Sequence, residues 1–584
     1  MMIVVKCMKI VKRDGRTVEY DSDKIRIAIN KANNEVAEAD KVSLKDIENI
    51  IKYIESLGKK RMLVEDIQDI IEEKLMEKKK YKLAKVYIIY RYKRSIIRKS
   101  NTIDASILSL LKNGSYNEKN YLDANRQRDV MAGEVSKDLA YRLLLPKNVV
   151  EAEKDARIKF CNVEYFTEPI IESSKIDLED MFDNGTVINK IKIDSPKSFQ
   201  SACNILVEVV ASVASSQTGK IYINFKDLFK YYYLTFDKLY GTYSTLMRNV
   251  LPEEQIRAIS HTQSFLEVKT GIQTIFYQIN TITIGSGLVP RVEFLVDVRD
   301  IQTKEEERIV YEFIHQKSEG IKDGDGNILV TRYPKIIYAV SSDSELRNKY
   351  DYITKELFNS ESEFSIMNER RFDSFLKDIK KFNQGSIAIN LAKIAADSLS
   401  AEGGDFITSL KENLSYCYEG LLCRNHNLQG IYSDKSPIHW RHGSIARLGA
   451  MERIDQYLKK GNSTMALVVC GFESAIKILG DESMKKTIRD LIVDTVKTWN
   501  KESTFETIIS NDFNKFSKSG VISTEEEEYK KYGITSLADS FEFMKEDYFK
   551  EGYIYLDTCK DVDLVNEDII NRNVIIRKSS SVVN

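Results

Sequence analysis

Hydrophobic positions in the first hundred residues recur mostly with the period of an amphipathic helix. The chain opens with a short apolar strand, Ile3 to Val11, turns at Asp14-Gly15 and returns through a second strand, Arg16 to Tyr20. Asp-Gly favours a tight hairpin turn. Four apolar runs with helical spacing follow: Ile25, Ala28, Ile29 and Ala32; Ile47, Ile50, Ile51, Ile54 and Leu57; Ile67, Ile70, Ile71 and Leu75; Leu83, Val86, Tyr87, Ile89 and Tyr90. The pattern predicts a hairpin and four helices within residues 1–98.

From about residue 125 the pattern changes to short apolar strands separated by long amphipathic helices. Clear strands are predicted at Val292 to Val298, Lys335 to Val340, Gly385 to Leu391 and Met465 to Cys470. Such alternation is typical of a mostly parallel sheet buried on both faces. The sequence therefore predicts an N-terminal domain at 1–98, a polar linker at 99–124, an α/β domain at 125–575 and a tail at 576–584.

Composition excludes several classes of protein. Of the 584 residues, 42% are hydrophobic and 30% charged, as in a soluble globular protein, and the net charge of −1 favours neither nucleic acid nor an acidic membrane as a partner. The seven cysteines form no CxxC pair, which argues against a zinc ribbon and suits a reducing cytoplasm. The N-terminal apolar run is too short for a signal peptide, and no apolar stretch reaches membrane-spanning length. We expect a cytoplasmic protein.

The N-terminal domain carries residues suited to phosphate binding. Adjacent cations at a glycine turn, Lys12 to Gly15, can converge with turn amides on one polyanion. Arg91 and Arg94 are three apart, so they share a helix face and can add charge to the same site. Tyr87 or Tyr90 can face an adenine ring. For the turn alone, the alternative is a surface loop with solvated basic residues.

The opening Lys12-Arg13-Asp14-Gly15, taken with the closing segment Tyr87 to Arg94, resembles the ATP-cone, the adenine-nucleotide switch of ribonucleotide reductases. This resemblance implies ATP or dATP as an allosteric ligand, with Mg²⁺ accompanying the nucleotide, and regulation through oligomeric contacts. The predicted nucleotide site comprises Lys12, Arg13, Asp14, Gly15, Lys24, Tyr87, Tyr90, Arg91 and Arg94.

The rest of the chain resembles the anaerobic, class III ribonucleoside-triphosphate reductases. The similarity lies in the shared order of segments over most of the chain. Those segments are Arg126 to Asp129, Leu143 to Val150, Ile176 to Phe182, Ser195 to Ser198, Val213 to Gly219, Ile279 to Thr281, Gly385 to Leu391 and Gly443 to Leu448. The resemblance implies an α/β barrel of ten strands, of the glycyl-radical enzyme type. It also implies a second nucleotide site near Asp177 to Met181 and Ser195 to Ser198, at a dimer interface.

The residues that carry radical chemistry in that family are not matched here. The family uses a C-terminal glycyl radical, a thiyl cysteine on a finger loop inside the barrel and a second barrel cysteine. Sulfur is needed because a thiyl radical can abstract a ribose hydrogen and return it. The second cysteine position falls at Glu172-Ser173-Ser174, and the finger loop at Phe364 to Leu376, which contains no cysteine. Past Gly552 the sequence shows no counterpart of the zinc site or radical loop. We therefore expect no catalytic residues, no glycyl radical and no zinc.

The other cysteines and the histidines are weak candidates for replacing the missing catalytic cysteines or for binding a metal. Cys161, Cys417, Cys423 and Cys470 are expected to be small buried hydrophobic residues. His439 and His442 have a spacing that can suit a metal, but no acid or cysteine partner lies nearby in sequence, so no metal site is predicted.

Three functions follow from the resemblance. The first is a catalytically inactive relative of the reductase that binds ATP or dATP at its cone and acts as a nucleotide-responsive regulator or assembly protein, as a homo-oligomer or on a true reductase. The second is a reductase subunit completed by a separate radical-bearing chain. The third is a structural scaffold with a vestigial cone. Fold alone does not decide among them.

Overall fold

The computed structural model describes residues 9–11, 17–34, 36–57, 61–89, 124–284, 289–359, 362–400, 404–510, 553–556 and 575–578. The chain divides into two compact units, the N-terminal unit Met1–Asn117 and the C-terminal unit Glu118–Asn584. The finer domain boundaries at 98, 124 and 575 stay predictions.

The described residues of the N-terminal unit form a small three-stranded sheet and four α-helices. Its strands are β1 (Lys9–Val11), β2 (Thr17–Glu19) and β3 (Arg61–Leu63), and its helices are α1 (Ser22–Asn33), α2 (Leu44–Ser56), α3 (Val64–Glu77) and α4 (81–89). β1 pairs antiparallel with β2, as the hairpin pattern predicts, and parallel with β3. β3 has no period-2 signal of its own and was missed from the sequence.

Helix starts in this unit follow the expected capping chemistry. The Asp21 side chain accepts from the amide of Asp23 at the start of α1, and Ser43 accepts from the amide of Asp46 at the start of α2. Each of the four predicted apolar runs contributes to one core, which contains Ile29, Ile47 and Leu75 at 0% exposure, but Leu57 and Ile89 of these runs are exposed.

The C-terminal unit is an α/β domain. Its strands are β4 (Ile158–Phe160), β5 (Ser173–Lys175), β6 (Thr186–Ile188), β7 (Ile191–Ile193), β8 (Ile221–Asn224), β9 (Val292–Asp297), β10 (Ile321–Lys322), β11 (Ile328–Leu329), β12 (Lys335–Val340), β13 (Phe364–Asn368), β14 (Phe382–Asn390), β15 (Ser463–Cys470), β16 (Glu506–Ser510), β17 (Tyr553–Leu556) and β18 (Ile575–Lys578). β6–β7 and β10–β11 are separate hairpins.

The helices of this unit are α5 (Ala124–Leu139), α6 (Lys147–Lys154), α7 (Leu178–Asp183), α8 (Phe199–Ala214), α9 (Phe229–Met247), α10 (Glu253–Thr281), α11 (Lys304–Glu319), α12 (Ser344–Lys349), α13 (Asp351–Asn359), α14 (Glu369–Ile379), α15 (Leu391–Ser400), α16 (Phe406–Leu428), α17 (Pro437–Trp440), α18 (Phe472–Leu479) and α19 (Met484–Glu502). A π-helical turn, Ala140–Leu144, follows α5.

Among the described residues, eleven strands form the central sheet. Ten lie on one path, in the order β16-β15-β14-β5-β8-β9-β12-β13-β18-β17, and β4 pairs with β14 beside it. β5, β8, β9, β12 and β13 run parallel to one another. The other five strands of the path run the opposite way, because the β14–β5 and β13–β18 pairs are antiparallel. The α/β class and the ten-strand path agree with the expected architecture, and β4 is an addition.

The two faces of the sheet have different coverings. Alternate residues such as Ile221, Phe294 and Tyr338 pack with α8, α10, α11 and α13 in the largest core. We call this helix-covered side the outer face. The intervening residues Tyr222, Leu295, Ile337, Ala339 and Met367 form a separate cluster on the other side, the inner face.

Candidate functional site

The predicted nucleotide site lies largely outside the described residues. Lys12, Arg13, Asp14, Gly15, Tyr90, Arg91 and Arg94 all fall there. Lys24 lies on α1 with an exposed side chain, 3.6 Å from the Asp21 carboxylate. Tyr87 is 3% exposed and belongs to the core of the N-terminal unit. A stacking role for Tyr87 stays a prediction, and its burial shows that the ring also has a packing role.

Serine occupies the inner-face position on β5 within Glu172-Ser173-Ser174, the segment in which the resemblance places a cysteine. Lys175 pairs in register with Tyr222, so Ser173, two residues earlier, lies on the same inner face. Ser173 pairs with Asn383 on β14, which in turn pairs with Thr464 on β15. Thr464 pairs with Glu506 on β16. These four residues, here called the polar row, cross the inner face of four neighbouring strands.

Ser174 points the other way, into a buried hydrogen-bonded chain. Its hydroxyl donates to Gln217 Oε1 at 2.6 Å, and Gln217 Nε2 donates to the Lys220 carbonyl at 2.8 Å. His439 Nε2 lies 3.2 Å from the same Gln217 oxygen, and its Nδ1 lies 2.7 Å from Ser436 Oγ. Since Gln217 Oε1 only accepts, Nε2 carries the proton and Nδ1 accepts from Ser436.

Burial keeps His439 neutral. The ring is 1% exposed, and desolvation lowers the pKa of His439 to about 3. Both ring nitrogens are engaged by protein partners. The structure therefore gives His439 a packing and hydrogen-bonding role. Neither ring nitrogen is left to bind a metal together with His442.

Glu172 and Arg424 meet beside a bulge in β14. The register shifts between Asn383 and Ser386, and the Ser386 hydroxyl donates to Glu172 Oε2. Arg424, from α16, donates to four backbone carbonyls: Gln384 at 3.2 Å, Phe166 at 3.0 Å, Glu168 at 3.1 Å and Ile170. The sequence does not predict that Glu172 and Arg424 lie together, because they are far apart in the chain and meet only through the bulge in β14 and the packing of α16.

The segment predicted as the finger loop is a strand joined directly to a helix. Phe364–Asn368 is β13, and α14 begins at the next residue, Glu369. The Asn368 side chain caps the helix by accepting from the amide of Arg371 at 2.9 Å. The loop prediction for Phe364 to Leu376 is therefore wrong. Phe372, Phe375, Leu376 and Ile379 have the i, i+3, i+4, i+7 spacing of an amphipathic helix, which is the signal that identifies α14.

α14 packs on the inner face of the sheet. Its apolar residues join the cluster formed by Tyr222, Leu295, Ile337 and Met367, and the rings of Phe375 and Tyr222 meet edge to face at 5.6 Å. At its far end, Lys380 Nζ lies 3.5 Å from Glu506 of the polar row. The helix thus occupies inner-face space to which the resemblance assigns a cysteine-bearing loop.

The charged residues of α14 do not converge on one site. Glu369 accepts from the Ser341 hydroxyl at 3.2 Å, Arg370 is exposed, and Arg371 Nη1 lies 3.9 Å from Asp378. Burial raises the pKa of Asp378, and Glu506 raises it further, while Arg371 opposes both. These contacts position the helix and do not form a catalytic cluster.

The cysteines divide into two groups. Cys417 and Cys470 are buried, as expected, and burial raises the pKa of Cys417. Cys161 and Cys423 are only partly buried, so that expectation is wrong for them. Cys161 lines a cavity of about 280 Å³ between α5 and β4, together with Asp129 and Tyr165. Cys423 packs against the edge of the core beside α16 and also lines a surface groove.

Within the described ranges, no helix combines the length and the apolar character needed to cross a membrane.

Sequence comparison matches each of the two units to a known protein family. The ATP cone domain family matches residues 8–96, and the family described as anaerobic ribonucleoside-triphosphate reductase matches residues 116–506. The anaerobic ribonucleoside-triphosphate reductase of Haemophilus influenzae is 26% identical over 545 residues, covering 85% of this chain and 75% of the relative. The Escherichia coli protein of the same name is 26% identical over 511 residues, covering 80% and 70%.

Solved structures support the fold. The anaerobic ribonucleotide reductase from Thermotoga maritima, with dATP bound in its specificity site, aligns with a TM-score of 0.56 and 10% identity over 81% of this chain and 86% of that one. At this identity the likeness concerns the fold alone. Because the reductase family match spans more than half of the 584 residues, this chain belongs to the anaerobic ribonucleoside-triphosphate reductase family, with an ATP-cone domain ahead of the reductase-like body.

Proposed function

We propose that this protein is a nucleotide-responsive member of the family that binds ATP or dATP, together with Mg²⁺, through its cone and performs no radical chemistry of its own. It acts as a regulator or assembly protein, as a homo-oligomer or on an active reductase. The observation that carries the proposal is the direct junction of β13 with α14. This junction leaves no loop to carry a thiyl-forming cysteine at the expected place.

Two further observations support the proposal that the protein performs no radical chemistry. Within Glu172-Ser173-Ser174, where the family resemblance places the second cysteine, Ser173 lies on the inner face, and a serine hydroxyl cannot take the redox role of a thiol. No cysteine lies in the sequence between Cys203 and Cys417, so no neighbouring thiol can be recruited from the β9–β14 segment. Cys203 itself is fully buried in the outer core, and burial raises the pKa of its thiol.

The nucleotide-binding half of the proposal rests on the cone. The ATP cone domain family match covers residues 8–96. The cations of the Lys12-Arg13 turn are the groups we expect to bind the phosphates. Binding by this mode requires both charge and a folded N-terminal unit.

Titration with ATP or dATP should raise the melting temperature of the wild-type protein. A ligand that binds only the folded state stabilises it by about 2.7 kcal/mol at 100 times its Kd. The double variant Lys12→Ala/Arg13→Ala should lose most of this shift. Differential scanning fluorimetry with ATP, dATP, GTP and CTP, each with and without Mg²⁺, measures both effects.

The matched control is Lys45→Ala/Lys52→Ala, which removes two exposed cations from α2 of the same unit. This variant should keep the wild-type shift. An absent shift at millimolar nucleotide, or an equal shift in the Lys12→Ala/Arg13→Ala protein, would rule out the cone as a working sensor and favour the structural scaffold.

A further inference from the structure

Among the described residues, the apolar contacts that hold helix α14 on the inner face come from four of its side chains. Phe372 is 3% exposed, but Phe375, Leu376 and Ile379 are only partly buried. Charged residues occupy other positions of the helix: Asp373 is exposed, Asp378 is partly buried, and Arg371 is buried at 6% exposure. An eleven-residue helix is marginally stable without tertiary packing. Specific polar contacts therefore add to the packing that keeps α14 helical and docked.

One polar contact ties the first turns of α14 to the end of β9. Arg299 donates from Nη2 to Asp373 Oδ1 at 2.7 Å and from Nη1 to Asp373 Oδ2 at 3.3 Å. The same guanidinium donates from Nε to Asp297 at 3.0 Å and 2.9 Å. A guanidinium that bridges two carboxylates in fork geometry is a specific, oriented contact. It is also partly exposed, so salt screens it.

The far end of α14 is strained. Lys380, which joins the helix to β14, has φ 48° and ψ −142°, a region that residues with a side chain rarely adopt. Its ion pair with Glu506 involves two partly exposed side chains and contributes little. Strain at Lys380 therefore favours release of the helix, whereas the Arg299–Asp373 bridge opposes it.

We propose that α14 is a movable plug, latched by the Arg299–Asp373 bridge, that undocks from the inner face while the rest of the sheet stays folded. Undocking pivots at the direct β13–α14 junction and relaxes Lys380. It uncovers Tyr222, Leu295 and Ile337 together with the inner face that bears Ser173. In the docked state α14 is thus an autoinhibitory contact that closes this face to other molecules. The inference concerns the C-terminal unit alone and stands whether or not the cone binds nucleotide.

Hydrogen exchange of the full-length protein, read by mass spectrometry on peptides from α14 and β12, tests the plug. Amides of α14 should exchange at least about tenfold faster than those of β12, because sub-global opening exposes α14 and only global unfolding exposes β12. Asp373→Asn should accelerate the amide exchange of α14 further, by about fivefold or more, and leave the exchange of β12 unchanged. Lys380→Gly should slow the amide exchange of α14, because glycine adopts positive φ without strain.

The control Lys380→Ala loses the ion pair with Glu506 but keeps the strain, so its α14 exchange should match the wild type. A second readout needs no substitution. Raising the salt concentration from about 0.05 M to about 0.5 M should screen the Arg299–Asp373 bridge and so accelerate the amide exchange of α14 but not that of β12. Equal exchange rates for α14 and β12 under every condition would overturn the proposal, as would variants that change both peptides in parallel.

Discussion

Replacing Arg424 with methionine should lower the free energy of unfolding of the C-terminal unit by about 3–5 kcal/mol. Arg424 is 6% exposed, and its guanidinium donates to carbonyls of Gln384, Phe166, Glu168 and Ile170. Burial lowers the pKa of Arg424 to about 10, so it stays charged at neutral pH. Without it, several carbonyls lose their donor at about 1–3 kcal/mol each, offset in part because a charge no longer needs to be buried.

Urea denaturation followed by circular dichroism measures this change. Arg424→Lys should recover little of the stability, because one ammonium cannot reach carbonyls spread around a planar fork. Arg453→Met is the matched control: Arg453 is 62% exposed, 3.8 Å from Asp455, and its loss should cost less than about 0.5 kcal/mol. An Arg424→Met protein within 1 kcal/mol of the wild type, on the order of an average substitution, would show that the carbonyl cluster is satisfied without the guanidinium.

Acid should destabilise the C-terminal unit through His439. The folded-state pKa of about 3 lies below the ordinary value of 6.5, so between these values the unfolded chain binds the proton and the folded chain does not. The stabilisation is fully present above pH 6.5 and is lost progressively as the pH falls towards 3. At about 1.36 kcal/mol per pH unit, His439 alone should cost about 3 kcal/mol between pH 6.5 and pH 4.

His439→Gln isolates this contribution, because glutamine stays neutral over the whole range. The variant is expected to be less stable at pH 7, where the imidazole contacts with Ser436 and Gln217 are lost. Its unfolding free energy should nevertheless fall less steeply with acid, so the two curves converge towards pH 4. Parallel curves from pH 7 to pH 4 would show that His439 is not the buried neutral group described above.

Much of the fold could be predicted because apolar residues recur with different periods in helices and in strands. The predicted strand Lys335 to Val340 has the bounds of β12, and the helical runs of the N-terminal domain form its core. The two failures have different causes. β3 is too short to show alternation, whereas α14 has a clear apolar spacing but lies in a segment to which the family resemblance assigns a loop. Local periodicity was the better guide there.

The inner site was less predictable, because it depends on strand register. Whether Ser173 or Ser174 faces inwards follows from the pairing of Lys175 with Tyr222, which no local pattern contains. Similarly, the contact between Ser386 and Glu172 requires the bulge in β14. The polar row and the Arg424 carbonyl cluster are made of residues that are far apart in sequence and adjacent only after folding.

The central claim is that this member of the family does not reduce ribonucleotides. The direct test is deoxyribonucleotide formation from each of the four ribonucleoside triphosphates under anaerobic conditions, with an active anaerobic reductase as the positive control. The protein is assayed alone and with a separate glycyl-radical chain. We expect no product above background in either case and no difference between the wild type and Ser173→Ala. Turnover that depends on the added radical chain, and that is lost in Cys161→Ser or Ser173→Ala, would contradict the claim and identify the protein as a reductase subunit.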